Sequence, residues 1–185
     1  MSKLPVNQIL CGDWVEVMKT FPSESIDLVM FSPPYWGLRD YQVEGQIGLE
    51  PTLEEYLDKL VRGCREIKRI LKKTGSMYIV IGDSYTSTTT GSLGKNGWSR
   101  PHSRNQSIEA RKHRNFGKIP QKCLLGIPWR LALRLIDDGW ILRNDIIWYK
   151  PNHMPESVKD RLTNTYEHIF HFVKSRKYYY NLDFD

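Results

Sequence analysis

The residues best suited to chemistry form a short proline-rich run, Ser32-Pro33-Pro34-Tyr35, called the SPPY turn below. The run offers a hydroxyl group, backbone carbonyls whose directions the prolines restrict, and an aromatic ring. Hydrogen-bond acceptors beside a ring suit a flat substrate that carries an exocyclic amine. A proline-terminated strand with a packed tyrosine would have the same four residues, so the turn alone leaves both interpretations open.

The pattern before the turn predicts a strand that delivers it to the end of a sheet. Residues 26–31 are apolar except for Asp27, which predicts a strand buried on both faces of a parallel sheet. Residues 8–11 predict an earlier strand, and Asp13 can cap a helix that ends at Pro22. The opening is therefore predicted to be β-α-β. The SPPY turn would then lie at the carboxyl end of a strand, where ligands bind in open α/β sheets.

A second β-α-β unit is predicted after a polar connection. Thr52 begins a capping box ahead of a helical period that continues to about residue 73, and Gly75 is placed to end the helix. Residues 77–81 predict the next strand, and the polar residues 82–85 follow it. These polar residues should therefore share a sheet edge with the SPPY turn.

The last third of the chain predicts one helix and two strands. Residues 128–139 show a helical pattern, and residues 140–149 and 167–173 predict an antiparallel pair at a sheet edge. His168 and His171 would face opposite sides of their strand, which argues against a shared metal site. The fold class predicted for residues 1–185 is a single α/β domain with a mostly parallel sheet and an antiparallel edge hairpin.

The excess positive charge of the chain is confined to one segment. Residues 86–122 hold eight basic residues and one acid, a charge of +7, so the rest of a chain of net charge +6 carries −1. The segment has no helical or strand periodicity, and long loops of this kind are usually functional or disordered. We expect a flexible insertion that contacts nucleic-acid phosphates, with a solvated loop as the alternative. The candidate contacts are Arg100, Arg104, Arg111, Lys112 and Arg114, with Arg39 outside the segment and Trp98, His102 and Phe116 as stacking groups.

Composition argues against several other classes of protein. No run approaches the roughly 18 apolar residues of a membrane-spanning helix, and the N-terminus lacks the apolar block of a signal peptide. Cys11, Cys64 and Cys123 are far apart and have no metal-binding spacing. They suit reduced thiols in a cytoplasmic protein.

With these elements placed, the chain resembles the N4-cytosine/N6-adenine DNA methyltransferases over about residues 8–180. The ordered series of matching runs is more specific than the SPPY turn alone. The runs are Gly12-Asp13, Asp27-Leu28-Val29, residues 32–41, 47–52 and 55–56, Ile81-Gly82-Asp83-Ser84-Tyr85, Gly126-Ile127-Pro128-Trp129-Arg130, residues 148–152 and residues 154–157.

The resemblance implies a seven-stranded, mostly parallel sheet, S-adenosyl-L-methionine as cofactor, and double-stranded DNA as partner in a restriction-modification or phage modification system. DNA enzymes of this type act on a base taken out of the helix. The Ser32 hydroxyl and the Pro33 carbonyl would accept the two N–H groups of the target amine, Pro34 would complete the turn, and Tyr35 would stack on the base. No covalent intermediate is needed. Ser32, rather than Asp or Asn, at the first position favours cytosine N4 over adenine N6.

One part of the family pattern is missing. The cofactor turn Phe-x-Gly-x-Gly occurs nowhere in the 185 residues, and in this motif order it follows a target-recognition region on the C-terminal side. Asp13 matches the acidic position that approaches the cofactor's adenine, while the ribose and methionine ends have no candidates. The sequence is therefore expected to be a truncated product, one half of a split enzyme, or a domain of a longer protein. We expect no methyl transfer by this chain alone, and a catalytically silent DNA-binding remnant is the alternative function.

Other polar residues in these runs have two interpretations each. Asp83 either faces the cleft or caps the loop after its strand, and Arg39 either forms a structural ion pair or touches phosphate. Lys150, Asn152 and Glu156 match a late family motif near the flipped base, where they would contact substrate or only pack.

Overall fold

The computed structural model describes residues 4–86, 114–153, 156 and 158–183. Within them the helices are α1 (Trp14–Lys19), α2 (Leu53–Ile70) and α3 (Ile127–Asp137), and the strands are β1 (Ile26–Phe31), β2 (Leu71–Ile81), β3 (Ile141–Tyr149) and β4 (Tyr166–Val173). These strands form one sheet in the order β1-β2-β4-β3. None of the described helices is long and apolar enough to cross a membrane.

The predicted unit of strand, helix and parallel strand is confirmed as β1-α2-β2. The two strands pair in parallel, with Phe31 opposite Ile79. The helix begins where the Thr52 hydroxyl accepts a hydrogen bond from the Glu55 backbone N–H at 3.2 Å, the capping box that the sequence predicts. Apolar residues at helical spacing then turn one stripe of α2 into the core.

The predicted late hairpin is also confirmed. Strand β4 pairs antiparallel with both β2 and β3, so β3 runs in the same direction as β1 and β2. The carboxyl ends of β1, β2 and β3 therefore meet at one edge of the sheet. Ser32, Gly82 and Lys150 are the first residues after those three ends.

The core lies on one face of the sheet. Met77 and Ile79 of β2 pair with Phe172 and Phe170 of β4, and all four side chains are fully buried. On the opposite face Met30 is 64% exposed, and its neighbour Leu28 is also exposed. The prediction that β1 is buried on both faces is therefore wrong, because the described helices cover only one of them.

Two other local predictions are wrong. Residues 8–11 form no strand, Ile9 is fully exposed, and the described N-terminal order is α1-β1. Gly75 does not end α2, because Leu71 already has extended backbone and begins β2. Gly75 lies inside β2, where a Cβ atom would come within 2.7 Å of the Asp27 carbonyl oxygen. Close approach of two strands, rather than a helix end, explains this glycine.

Candidate active site

A cleft of about 940 Å³ opens at the edge where β1, β2 and β3 end. Small-molecule sites in proteins have volumes of about 300–1,000 Å³. The cleft is lined by Tyr35 and Trp36 after β1, residues 82–85 after β2, Lys150, Asn152 and Glu156 after β3, and residues 166–168 of β4. Ser32, Pro33, Pro34 and Arg39 line an adjoining depression, and Tyr35 borders both. The structure thus brings the SPPY turn, the residues after β2 and the late motif together.

The SPPY turn is held to helix α2 by one hydrogen bond. The Tyr56 hydroxyl donates to the Pro34 carbonyl at 2.9 Å, which commits that carbonyl to the protein. The Pro33 residue is buried, whereas Ser32 is exposed. The acceptors that the resemblance assigns to a substrate amine are the Ser32 hydroxyl and the Pro33 carbonyl, and the bond from Tyr56 competes with neither.

The loop after the turn is tied back against the core. Trp36 is buried, and its indole N–H donates to the Glu50 carbonyl at 2.8 Å. Gly37 has a φ of +66°, and a Cβ there would lie 2.5 Å from the Arg114 side chain, so both conformation and space require glycine. The Arg114 guanidinium lies 5.3 Å from the centroid of the Trp36 ring and 5.0 Å from that of Phe116. Arg114 thus forms part of the cleft wall.

The Tyr35 ring lies over Gly82, where a Cβ atom would be 3.0 Å from the Tyr35 Cε2 atom. The Tyr35 hydroxyl interacts with the side chains of Ser32 and Glu167. Burial raises the pKa of Tyr35 to about 12, and the Glu167 carboxylate acts in the same direction. Tyr35 therefore presents a neutral phenol ring to the cleft at physiological pH.

Asp83 lines the cleft and also caps helix α3. Its carboxylate accepts hydrogen bonds from the backbone N–H groups of Ser84 at 2.8 Å, Gly126 at 2.9 Å and Ile127 at 3.1 Å. Burial raises the pKa of Asp83, and these N–H groups oppose that shift. These contacts favour the capping interpretation of Asp83 and extend it to the start of α3.

The loop after β3 forms the opposite wall of the cleft. The Lys150 ammonium lies 2.5 Å from the Glu167 carboxylate, and the Glu156 carboxylate lies 2.5 Å from the Arg161 guanidinium. Asn152 lines the same wall. Lys150 and Glu156 thus face the cleft with their charges matched by protein partners.

The two histidines of β4 lie on opposite faces, as the strand alternation predicts. His168 Nδ1 is 2.8 Å from the Asp145 carboxylate, whereas His171 Nε2 is 3.0 Å from the Ser76 hydroxyl. Burial, followed by the charge of Arg143, lowers the pKa of His171. No group of three or more potential metal ligands occurs among the described residues.

The remaining candidate residues have varied positions. The Asp13 carboxylate caps α1 by accepting from the backbone N–H groups of Val15 at 3.0 Å and Glu16 at 3.1 Å, which confirms the predicted cap. The cofactor role of Asp13 stays a prediction, as do the phosphate contacts of Arg39 and Arg114. The other candidates, Arg100, Arg104, Arg111 and Lys112, lie outside the described residues, together with Trp98 and His102.

Two site residues are not predicted as such by the sequence patterns, namely Tyr56 and Glu167. Tyr56 belongs to the apolar stripe of α2, and Glu167 begins a strand-like run. Each carried a weak signal. Tyr56 is a hydroxyl within a buried stripe, and Glu167 is an acid at the end of an otherwise apolar strand.

Comparison with known proteins identifies the family. The family described as DNA methylase (N6_N4_Mtase) matches residues 26–184. The chain belongs to this DNA methylase family. Its members use S-adenosylmethionine. The match spans the SPPY turn and all four described strands.

The chain spans little more than half the length of the curated relatives it matches. It is 48% identical over 172 residues to the type II methyltransferase M.XycI of Xanthomonas campestris pv. cyanopsidis, which is 92% of this chain and 55% of M.XycI. It is 45% identical over 182 residues to the type II methyltransferase M.SmaI of Serratia marcescens, which is 97% of this chain and 60% of M.SmaI.

Two solved structures confirm the α/β fold. The PvuII DNA methyltransferase (cytosine-N4-specific) aligns with a TM-score of 0.59 at 21% identity, covering 90% of this chain and 48% of that one. A DNA modification methylase of Thermus thermophilus, TTHA0409, in complex with S-adenosyl-L-methionine, aligns with a TM-score of 0.58 at 25% identity, covering 92% of this chain and 54% of that one.

The residues present match the substrate side of a methyltransferase site better than its cofactor side. The cleft offers acceptors and a ring for a planar amine, but the 185 residues contain no Phe-x-Gly-x-Gly turn. Asp13, the one residue that the resemblance assigns to the cofactor, is absent from the cleft lining. No step of the reaction is therefore assigned to cofactor-binding residues of this chain.

Proposed function

We propose that this chain supplies the target-base half of a site that transfers a methyl group from S-adenosylmethionine to the exocyclic amine of a DNA base. The observation that carries this proposal is the position of the SPPY turn. The exposed Ser32 hydroxyl and the neutral Tyr35 ring lie together at the carboxyl edge of the sheet, beside a cleft large enough for a base.

The residues of the chain act by orientation. The Ser32 hydroxyl and the Pro33 carbonyl each accept one N–H of the amine, which directs the nitrogen lone pair out of the turn. The cofactor, when bound, supplies an electrophilic methyl group. The Tyr35 ring stacks on the extruded base, and base–aromatic stacking contributes about 1–3 kcal/mol per base. Fixing the amine in a single orientation removes part of the entropic barrier to methyl transfer.

A chimera tests this proposal. In the M.XycI chimera, this chain replaces the 172-residue region that it matches in M.XycI. With labelled S-adenosylmethionine and DNA, we expect no label in DNA from the chain alone and clear labelling from the chimera. A chimera as inactive as the chain alone, beside active M.XycI, would count against the proposal.

Cytosine N4 is the proposed target, because Ser32 occupies the first position of the turn. DNA from a host that expresses the chimera should contain N4-methylcytosine, as measured by nucleoside mass spectrometry against the same host without it. The appearance of N6-methyladenine alone would assign the chain to adenine instead.

The basic segment should make DNA binding depend steeply on salt. Each phosphate contact contributes a slope of about −0.9 in log affinity against log salt, so Gln at four contact residues should reduce the slope by about 3.6. These residues are Arg100, Arg104, Arg111 and Lys112. The matched control removes the same charge from four exposed positions elsewhere, Arg62, Lys73, Arg176 and Lys177. Equal slopes for the two variants would remove the segment from the DNA interface.

A second candidate function is a catalytically silent DNA-binding module. The missing Phe-x-Gly-x-Gly turn favours it. Calorimetric titration of the chimera with S-adenosylmethionine separates the two functions. Tight binding that Ser32→Ala does not alter, together with methyl transfer that it does, would exclude a silent module.

A further inference from the structure

Glu167 is a carboxylate that the proposed chemistry does not use, although it lies in the cleft. It is the second residue of β4 and pairs with Trp148 of β3. Its side chain is only 17% exposed. A carboxylate this far removed from water needs charged or hydrogen-bonding partners.

The partners of Glu167 come from both walls of the cleft. The Lys150 ammonium, in the loop after β3, lies 2.5 Å from its carboxylate. The Tyr35 hydroxyl, in the SPPY turn, interacts with the same side chain. Gly82 allows this meeting, because a Cβ there would lie 3.0 Å from the Tyr35 ring and 3.3 Å from the Glu167 Cγ and Oε1 atoms.

The Lys150 side chain extends the arrangement to a second aromatic ring. Its ammonium lies 5.3 Å from the centroid of the Trp148 ring, and Trp148 is half exposed. A single carboxylate therefore connects the Tyr35 ring, after β1, with a lysine and a tryptophan at the end of β3. No other described carboxylate in the cleft joins these two walls, because Asp83 caps α3 and Glu156 pairs with Arg161.

We propose that Glu167 is a positioning residue that holds Tyr35 and Lys150 in a fixed relation across the end of β2, so that the Tyr35 ring meets the target base in one orientation. This arrangement is called the Glu167 bridge below. Its role in catalysis rests on the proposed function. The physical gain is that the ring and the loop are ordered before the base arrives, so binding does not have to order them.

The alternative is that Glu167 only stabilises the loop through its ion pair with Lys150. In that case Glu167→Gln and Lys150→Gln would have the same effect, and neither would change the surroundings of the Tyr35 hydroxyl. The Glu167 bridge predicts different behaviour, since Tyr35 is then a direct partner of Glu167.

The first test measures the ionisation of Tyr35 in the chain alone, by NMR with [13Cζ]tyrosine, using Tyr35→Phe to assign its signal. With a pKa of about 12, Tyr35 should be about 3% ionised at pH 10.5. Glu167→Gln removes a negative charge and a carboxylate partner that both favour the neutral phenol, so the ionised fraction should rise at least threefold. Lys150→Gln should not raise it. The control is Asp27→Asn, which breaks an exposed ion pair with Lys72 outside the cleft.

The second test uses the M.XycI chimera. Glu167→Gln should lower kcat/KM for DNA at least tenfold and leave KM for S-adenosylmethionine unchanged. In the Tyr35→Phe background the same change should cost less than twofold, because the hydroxyl partner is already gone. Unchanged Tyr35 ionisation in Glu167→Gln, or equal effects in both backgrounds, would overturn the bridge. If the chimera itself is inactive, the proposed function fails, and the Tyr35 measurement still decides whether the bridge exists.

Discussion

Replacing Ser32 with alanine in the M.XycI chimera is expected to lower kcat about 100-fold, equivalent to about 2.7 kcal/mol of transition-state stabilisation. The Ser32 hydroxyl is the exposed acceptor of the SPPY turn, and nothing else in the turn replaces it, because Tyr56 occupies the Pro34 carbonyl. An amine held by the Pro33 carbonyl alone would rotate, and its lone pair would leave the line of transfer. The measurement is the steady-state rate of label transfer to DNA.

Two comparison variants make this result specific. Ser32→Asn keeps a hydrogen-bond acceptor and matches another residue that the family motif accepts, so it should retain more activity than Ser32→Ala. Ser175→Ala alters a serine after β4, whose hydroxyl accepts from the Lys177 backbone N–H, and should leave kcat unchanged. A kcat within threefold of the unmodified chimera for Ser32→Ala would refute the amine-orienting role.

Replacing Gly63 with alanine is expected to destabilise the chain by about 1–3 kcal/mol, the usual cost of forcing extra atoms into a packed core. A Cβ at Gly63 would lie 1.8 Å from the Cζ2 atom of Trp14, so the indole ring has to move. That ring also packs against Phe31, the last residue of β1 before the SPPY turn. Alanine is the better helix former by about 1 kcal/mol, which offsets only part of the cost. The free energy of unfolding in urea measures the difference.

A double-mutant cycle identifies the cause of that loss. In a Trp14→Ala background the space beside Gly63 is open, so Gly63→Ala should become neutral or stabilising. Arg62→Ala, at the adjacent exposed position of α2, should change stability by less than about 0.5 kcal/mol. Equal losses from Gly63→Ala with and without Trp14 would show that the ring contact is not responsible.

Much of the fold could be predicted because its signals are local. The capping box at Thr52, the helical stripe of α2 and the apolar runs of β1 and β4 each specify their element within a few residues. The predictions failed where a local signal had two meanings. Gly75 resembles a helix end, yet it is the point where β2 passes close to the Asp27 carbonyl. Residues 8–11 resemble a strand, yet no described strand pairs with them.

The sequence alone determined that a hydroxyl, two prolines and an aromatic ring follow a strand, and the ordered motifs determined the family to which they belong. Only the tertiary structure decided how that turn is held. The bond from Tyr56 to Pro34 joins residues 22 positions apart, and Glu167 reaches Tyr35 from the far end of the chain. Such contacts depend on the order of strands in the sheet, which places the ends of β1, β2 and β3 side by side. Spacing along the chain carries no record of that proximity, so the SPPY turn can be predicted from its residues while its partners cannot.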